Sequence, residues 1–169
     1  GKFSTRQGKT IHLTEVIEKA EEEAGKIAPK NSREKIMAVA IGAIKFNDLA
    51  QDPRKDIIFD WEKVMSMEGN SGPYLQYTYA RCRRVGEKSL KKPSSNFGDD
   101  WEIKSEERAL LSYFYQFEEK ILEAAERFSP AVLAEYLLNL ARKYNEFYGK
   151  WRIVGEKEEE FRLFLTDRT

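Results

Sequence analysis

Apolar positions recur along most of this chain at helical spacing. Val16, Ile17, Ala20, Ala24 and Ile27 predict a first helix, with Thr14 as its cap and Pro29 as its break. Ile36, Val39, Ala40, Ala43, Ile44 and Leu49 carry a second to about Ala50, with Asn31 and Glu34 at capping-box spacing. Ala40, Gly42 and Ala43 are small enough to admit another helix closely. Residues 52–56 read as a turn, 57–59 as a short apolar segment, and Asp60 as the cap of a short helix over 61–65. Gly69 and Gly72 let the chain turn into a helix headed by Pro73, whose missing N–H costs nothing at the first helical position.

Stepping about 100° per residue from Tyr74 places Leu75, Thr78, Tyr79, Cys82 and Val85 in one arc, which predicts a core stripe. Tyr74, Tyr77, Arg81, Arg84 and Lys88 fall in another. That second arc is aromatic at its start and basic along the rest. It suits a phosphate backbone with a base or sugar stacked beside it, and equally suits a solvated face. Residues 91–100, with Pro93, serines, Asn96 and Gly98, form the longest loop signal and the best candidate for a mobile segment.

From Ser105 the chain is helical again. Leu110, Leu111 and Phe114 form one apolar group and Phe117, Ile121, Leu122, Ala125 and Phe128 another, with a break near Gln116. Ser129 and Pro130 start a long helix that Gly149 stops after Tyr148. On it Leu133, Tyr136, Leu137, Leu140, Ala141, Tyr144, Phe147 and Tyr148 span about 140°, opposite Glu135, Asn139, Arg142 and Glu146. Trp151 to Val154 reads as a short apolar connection, Glu158 to Glu160 as a solvated charge run, and the end from Phe161 as another helix. The fold class that follows is all-α, a helical bundle preceded by a short N-terminal loop or extended segment.

Some of these stretches match a known pattern. The run Glu68-Gly-Asn-Ser-Gly-Pro-Tyr-Leu-Gln-Tyr-Thr-Tyr-Ala-Arg81, preceded by Phe59-Asp-Trp-Glu62, closely resembles the segment by which arginyl-tRNA synthetases enter their C-terminal helical domain. Leu138-Asn-Leu-Ala-Arg-Lys-Tyr-Asn-Glu-Phe-Tyr148 resembles the DALR anticodon-binding domain of that family. Lys2-Phe-Ser-Thr-Arg6, followed by Gly8, is similar to the KMSKS loop of class I aminoacyl-tRNA synthetases. Phe3 stands there for methionine and Thr5 for the second lysine, so both Lys2 and Arg6 remain candidates for the main phosphate contact.

The resemblance implies an arginine-tRNA ligase, which attaches arginine to its tRNA through an arginyl-adenylate using ATP and Mg²⁺. It implies residues 1–56 as the KMSKS-like loop with connecting helices, and 57–169 as the anticodon-binding helical domain, truncated in its last helix. Lys2, Phe3, Ser4, Thr5 and Arg6 would form the ATP-binding loop, with Lys2 and Arg6 as its catalytic cations. The tRNA-binding candidates are Tyr74, Tyr77, Arg81, Arg84 and Lys88, then Arg142, Tyr144, Asn145, Phe147 and Tyr148. Helical arithmetic sets Tyr144, Phe147 and Tyr148 on the core stripe, so packing and base stacking both stand for them. With no HIGH signature and no room for a nucleotide-binding sheet, the isolated chain is expected to bind tRNA without catalysing and to bind no cofactor alone. L-arginine and ATP would engage a catalytic domain beyond it. The alternative is a free-standing helical RNA-binding or interaction module derived from the synthetase domain.

Composition narrows this further. The chain has 169 residues, 41% apolar and 34% charged, with 29 basic and 29 acidic side chains. Zero net charge argues against indiscriminate nucleic-acid binding. Between Arg81 and Lys92, however, six basic residues face one acid, Glu87, which suits a partner docked in one orientation. A single Cys82 forms no internal disulfide, and with no apolar run of membrane-spanning length a cytoplasmic setting is expected. Neither His12 nor Cys82 has the neighbours of a catalytic or metal site, and no metal site is expected.

Overall fold

The computed structural model describes residues 12–52, 54–55, 59–96 and 102–169. The Lys2–Arg6 loop, most of the 57–59 segment and the end of the 91–100 loop lie outside them. Among the described residues every regular element is a helix: α1 (Leu13–Ile27), α2 (Arg33–Leu49), α3 (Trp61–Val64), α4 (Gly72–Lys88), α5 (Ser105–Phe114), α6 (Phe117–Glu126), α7 (Ala131–Lys150) and α8 (Glu159–Arg168).

The Asp60 cap was expected from sequence, and the structure adds a second at Ser71. Asp60 accepts from the backbone N–H of Glu62 and Lys63, and Ser71 Oγ accepts from Tyr74 N at 3.2 Å. Each satisfies donors that a helix start otherwise leaves orphaned. Other boundaries differ from expectation. α1 starts before Thr14, at a cap formed by His12, and α2 is capped at Ser32 rather than Asn31, neither with a side-chain cap bond. Gly72 precedes Pro73 inside α4. Gly149 does not stop α7, which continues to Lys150 and ends at extended Trp151.

The helices build two cores. The smaller holds Ala20 and Ala24 of α1, Ala40 and Ala43 of α2, and Val64 and Met65 after them, all buried. Alanines let α1 and α2 approach closely. α2 then crosses α4 where a Cβ on Gly72 would stand 2.7 Å from the Gly42 carbonyl oxygen, so no larger residue fits this crossing. Gln76 Nε2 ties the same crossing by donating to Ala38 O at 3.0 Å.

The larger core joins α4, α5, α7 and α8 through Cys82, Val85, Leu110, Tyr136, Leu140, Tyr144, Phe147, Ile153, Phe161, Leu163 and Leu165. Each large side chain buried here contributes roughly 1.5–3 kcal/mol of transfer free energy. α5 and α6 lie against α7, with Tyr113 and Tyr136 stacked at 4.8 Å between ring centres.

Several sequence expectations fail on burial, among them Leu137 and Tyr148 of the α7 stripe, which are exposed. Tyr79, placed in the α4 core stripe, is 66% exposed, while Thr78, Cys82 and Val85 of the same stripe are buried. The apolar group of α6 is largely outward: Phe117, Ile121, Leu122 and Ala125 are exposed, and Phe128 is 91% exposed, while Ala124 is the buried contact.

The interior also holds a charge pair. Arg162 of α8 donates from Nε to Glu107 Oε1 of α5 at 2.8 Å, with 5% and 0% of the two side chains exposed. Glu107 Oε2 accepts from the Lys104 backbone N–H, and Arg162 Nη1 donates to Arg152 O at 2.6 Å. Glu159, expected on a solvated face, is likewise buried, accepting from Ser89 Oγ at 2.5 Å and Gly155 N at 3.1 Å.

Candidate nucleic-acid interface

The α4 arc of tyrosines and cations meets the C-terminal half of α7. Asn145 is the hub of that meeting. Its Nδ2 donates to Tyr74 OH and to Thr78 Oγ1, both at 2.9 Å, and its Oδ1 accepts from Arg81 Nη1. Arg81 Nη2 also donates to Tyr77 OH at 2.9 Å, and the guanidinium lies over the rings of Tyr77, at 4.7 Å, and Tyr148, at 4.6 Å. Both rings remain exposed.

Beside them opens a groove of about 1060 Å³ lined by Tyr77, Arg81, Arg84, Lys88, Tyr148, Lys150, Trp151 and Arg152, with small apolar residues at its base. Five cations and three aromatic rings line it, and no carboxylate does. Arg84 and Lys88 are exposed and form no ion pair among the described residues. Lys150 is held from behind: it pairs with Glu106 at 2.6 Å and Glu146 at 3.0 Å, and Trp151 Nε1 donates to Glu106 at 3.0 Å. The Lys150 ammonium first, and the indole N–H second, lower the Glu106 carboxyl from its ordinary 4.5 to about 2. Glu106 thus carries its charge throughout the neutral range. An open channel of cations and stacking faces is chemically suited to a single-stranded or looped nucleic acid.

The structure divides the candidates named from sequence. Tyr77, Arg81, Arg84, Lys88 and Tyr148 share this groove, and Tyr74 and Asn145 stand behind it as supports. Tyr144 and Phe147 are corrected: both are 0% exposed, packed in the larger core, and offer no ring face to a ligand. Burial pushes the Tyr144 phenol well above its ordinary range and the neighbouring Cys82 thiol up to about 11, which keeps both neutral. Arg142 lies apart, in a groove of mixed charge on the α6 side, donating to Asn139 Oδ1 at 2.7 Å and to Asn70 Oδ1.

The basic patch over residues 81–92 also divides. Arg83 and Lys91 line a separate recess with Glu87 and Asp167. The residues that sequence reasoning missed are Lys150, which drew no reading, and Trp151 and Arg152, counted as the start of an apolar connection. Their signal was the cation-aromatic-cation order after Gly149. Among the described residues no group of three or more His, Cys, Asp or Glu could hold a metal ion, and no helix is long and apolar enough to cross a membrane.

Comparison with known proteins places this arrangement. Residues 75–169 match the family described as DALR anticodon binding domain, and residues 1–61 match the class I tRNA synthetase (R) catalytic domain. An arginine-tRNA ligase of Yersinia pseudotuberculosis is 38% identical over 95% of this chain and 29% of its own length. One from Clostridium acetobutylicum is 33% identical over 96% of this chain and 30% of its own length. The arginyl-tRNA synthetase of Thermus thermophilus superposes with a TM-score of 0.83 at 32% identity, over 94% of this chain and 29% of that one. The chain therefore spans about 30% of the length of the curated relatives it matches. With that family matched across more than half of its residues, including α5 to α8 and nearly all of α4, the chain belongs to the DALR anticodon-binding domain family.

Proposed function

We propose that this chain is the tRNA-binding portion of an arginine-tRNA ligase, and that the groove between α4 and the end of α7 receives the RNA. The observation that carries the reading is the groove lining: five cations and three aromatic rings, with Arg81, Arg84 and Lys88 facing no carboxylate among the described residues while Lys150 and Arg152 are paired from behind. The relatives' names supply the amino acid, and the phosphate chemistry of the groove supplies the partner class. In this reading residues 57–169 form the anticodon-binding bundle and residues 1–56 the catalytic-side segment. Lys2 to Arg6 would approach the phosphates of ATP in the whole enzyme, where Mg²⁺ offsets phosphate charge. Activation of arginine and its transfer to tRNA belong to that whole enzyme, and the isolated chain binds tRNA without forming adenylate.

The test is binding of the chain to unmodified arginine tRNA beside a non-cognate tRNA across a salt series. Cognate binding should be tighter and should persist as salt rises. Arg84→Ala and Lys88→Ala should each weaken binding to both RNAs and reduce the salt slope by about 0.7. Unchanged affinity in both variants would remove the groove from the reading. Adenylate formation by the purified chain would overturn the assignment of chemistry to the rest of the enzyme.

A further inference from the structure

Among the described residues five arginines are paired with carboxylates: Arg33, Arg54, Arg127, Arg152 and Arg162 face Glu21, Asp52, Glu123, Glu156 and Glu107 respectively. Arg81 is held instead by two hydrogen bonds and two ring contacts, and its oxygen partners are a carboxamide and a phenol. Arg142, outside the groove, also donates to carboxamides, on Asn139 and Asn70, so the ring contacts of Arg81 are what mark it within the groove. A carboxylate in place of the carboxamide beside Arg81 would make the stronger bond. It would also cancel the charge.

The amide orientation at Asn145 is determined by its surroundings. Both Nδ2 hydrogens have acceptors, Tyr74 OH and Thr78 Oγ1, and Thr78 in turn donates to Tyr74 O at 3.0 Å. A flipped amide would turn N–H groups toward the guanidinium, so the network admits one orientation. Oδ1 therefore always faces Arg81. Of the five N–H donors of a guanidinium, the bonds to Asn145 and Tyr77 use two and leave three, beside Arg84 and Lys88.

We propose that Asn145 is a positioning residue that aims Arg81 while leaving its positive charge whole, so that the fork grips one phosphodiester of an RNA whose adjacent base stacks on Tyr77 or Tyr148. This rests on the groove reading above and adds a division of labour to it. Arg84 and Lys88 attract the backbone as loosely held charges. Arg81 is ordered before the ligand arrives, so little side-chain freedom is lost on binding.

The test uses the whole chain and a labelled hairpin RNA carrying an arginine anticodon loop, with affinity measured at several salt concentrations. Asn145→Asp keeps the shape and can accept from the Tyr74 hydroxyl, while the Thr78 hydroxyl hydrogen is already given to Tyr74 O, so the unfolding midpoint of this variant is measured beside that of the unaltered chain to confirm that the fold holds. The added charge should neutralise Arg81 and lower the salt slope by about 0.7, the value for one single-strand phosphate contact. Arg81→Ala should weaken binding roughly ten- to hundredfold, the range for hydrogen bonds to charged groups. Asn145→Ala should also weaken it, and the double variant should bind no worse than Arg81→Ala alone. A residue that merely supports packing would give additive losses and leave the slope of Asn145→Asp unchanged, and either result overturns the proposal. If Arg84→Ala weakens binding while both Asn145 variants bind normally, the positioning role fails and the groove stands. If none of these substitutions matters, the groove reading itself fails.

Discussion

Arg162 and Arg81 show what separates the interior of this protein from its groove. At the α5–α8 seam, Arg162 is buried against Glu107, donates to Arg152 O, lies 4.0 Å from Glu158 and rests over the Trp151 ring. At the α4–α7 seam, Arg81 is ordered by amide, phenol and aromatic partners and stays at the surface with its charge uncancelled. The first arrangement is closed and electrically neutral, and suits structure. The second is preorganised and positive, and suits a ligand. Trp151 joins them, resting on Arg162 while its indole N–H holds Glu106 behind the groove.

The comparison can be broken most forcefully from the inside. Glu107→Ala should destabilise the fold by about 3 kcal/mol, measured by urea unfolding, because it removes the buried partner of Arg162 and leaves only the longer, partly exposed contact to Glu158 at 4.0 Å. A loss under about 1 kcal/mol would mean the pair is no more structural than Arg81. Between the seams stands Ser71→Ala, which removes the cap of the helix carrying Arg81. It should cost about 1 kcal/mol and weaken RNA binding only through stability, so that the salt slope is unchanged.

The smallest expected effect is a pH response at the back of the groove. The Glu106 carboxyl is depressed from 4.5 to about 2, so its contribution is fully present above about 4.5 and is lost as pH falls toward 2. The Trp151 indole N–H resonance should therefore stay fixed through the neutral range and move only below pH 4.5. Glu106→Gln should abolish that movement. A shift centred near neutrality would assign it to another group.

How legible was this from the residues alone? The start of α4 was clear, because Pro73 acts over three or four residues, and Asp60 likewise. Thr14 and Asn31 had equally good cap chemistry, yet α1 and α2 begin elsewhere, since a cap also requires the chain to enter at the right backbone angle. Tyr74, Tyr77, Arg81, Arg84 and Lys88 were separable from the core stripe by helical arithmetic. Tyr144 and Phe147 were readable as stripe residues, but only the covering helices make them inaccessible. Lys150 to Arg152 escaped because a run scored for hydrophobicity hides the cations beside its tryptophan.

The sequence by itself determined the all-α class, the Asp60 cap, the Pro73 start of α4, the basic-aromatic face of α4 and the family to which that face belongs. These are local matters, encoded in residues three or four apart. The tertiary structure alone decided which arginine is cancelled and which is kept. Glu107 and Arg162 lie 55 residues apart, and Arg81 and Asn145 lie 64 apart. No periodicity within one helix reports its partner, because a charge acquires its role from the group that packing brings against it.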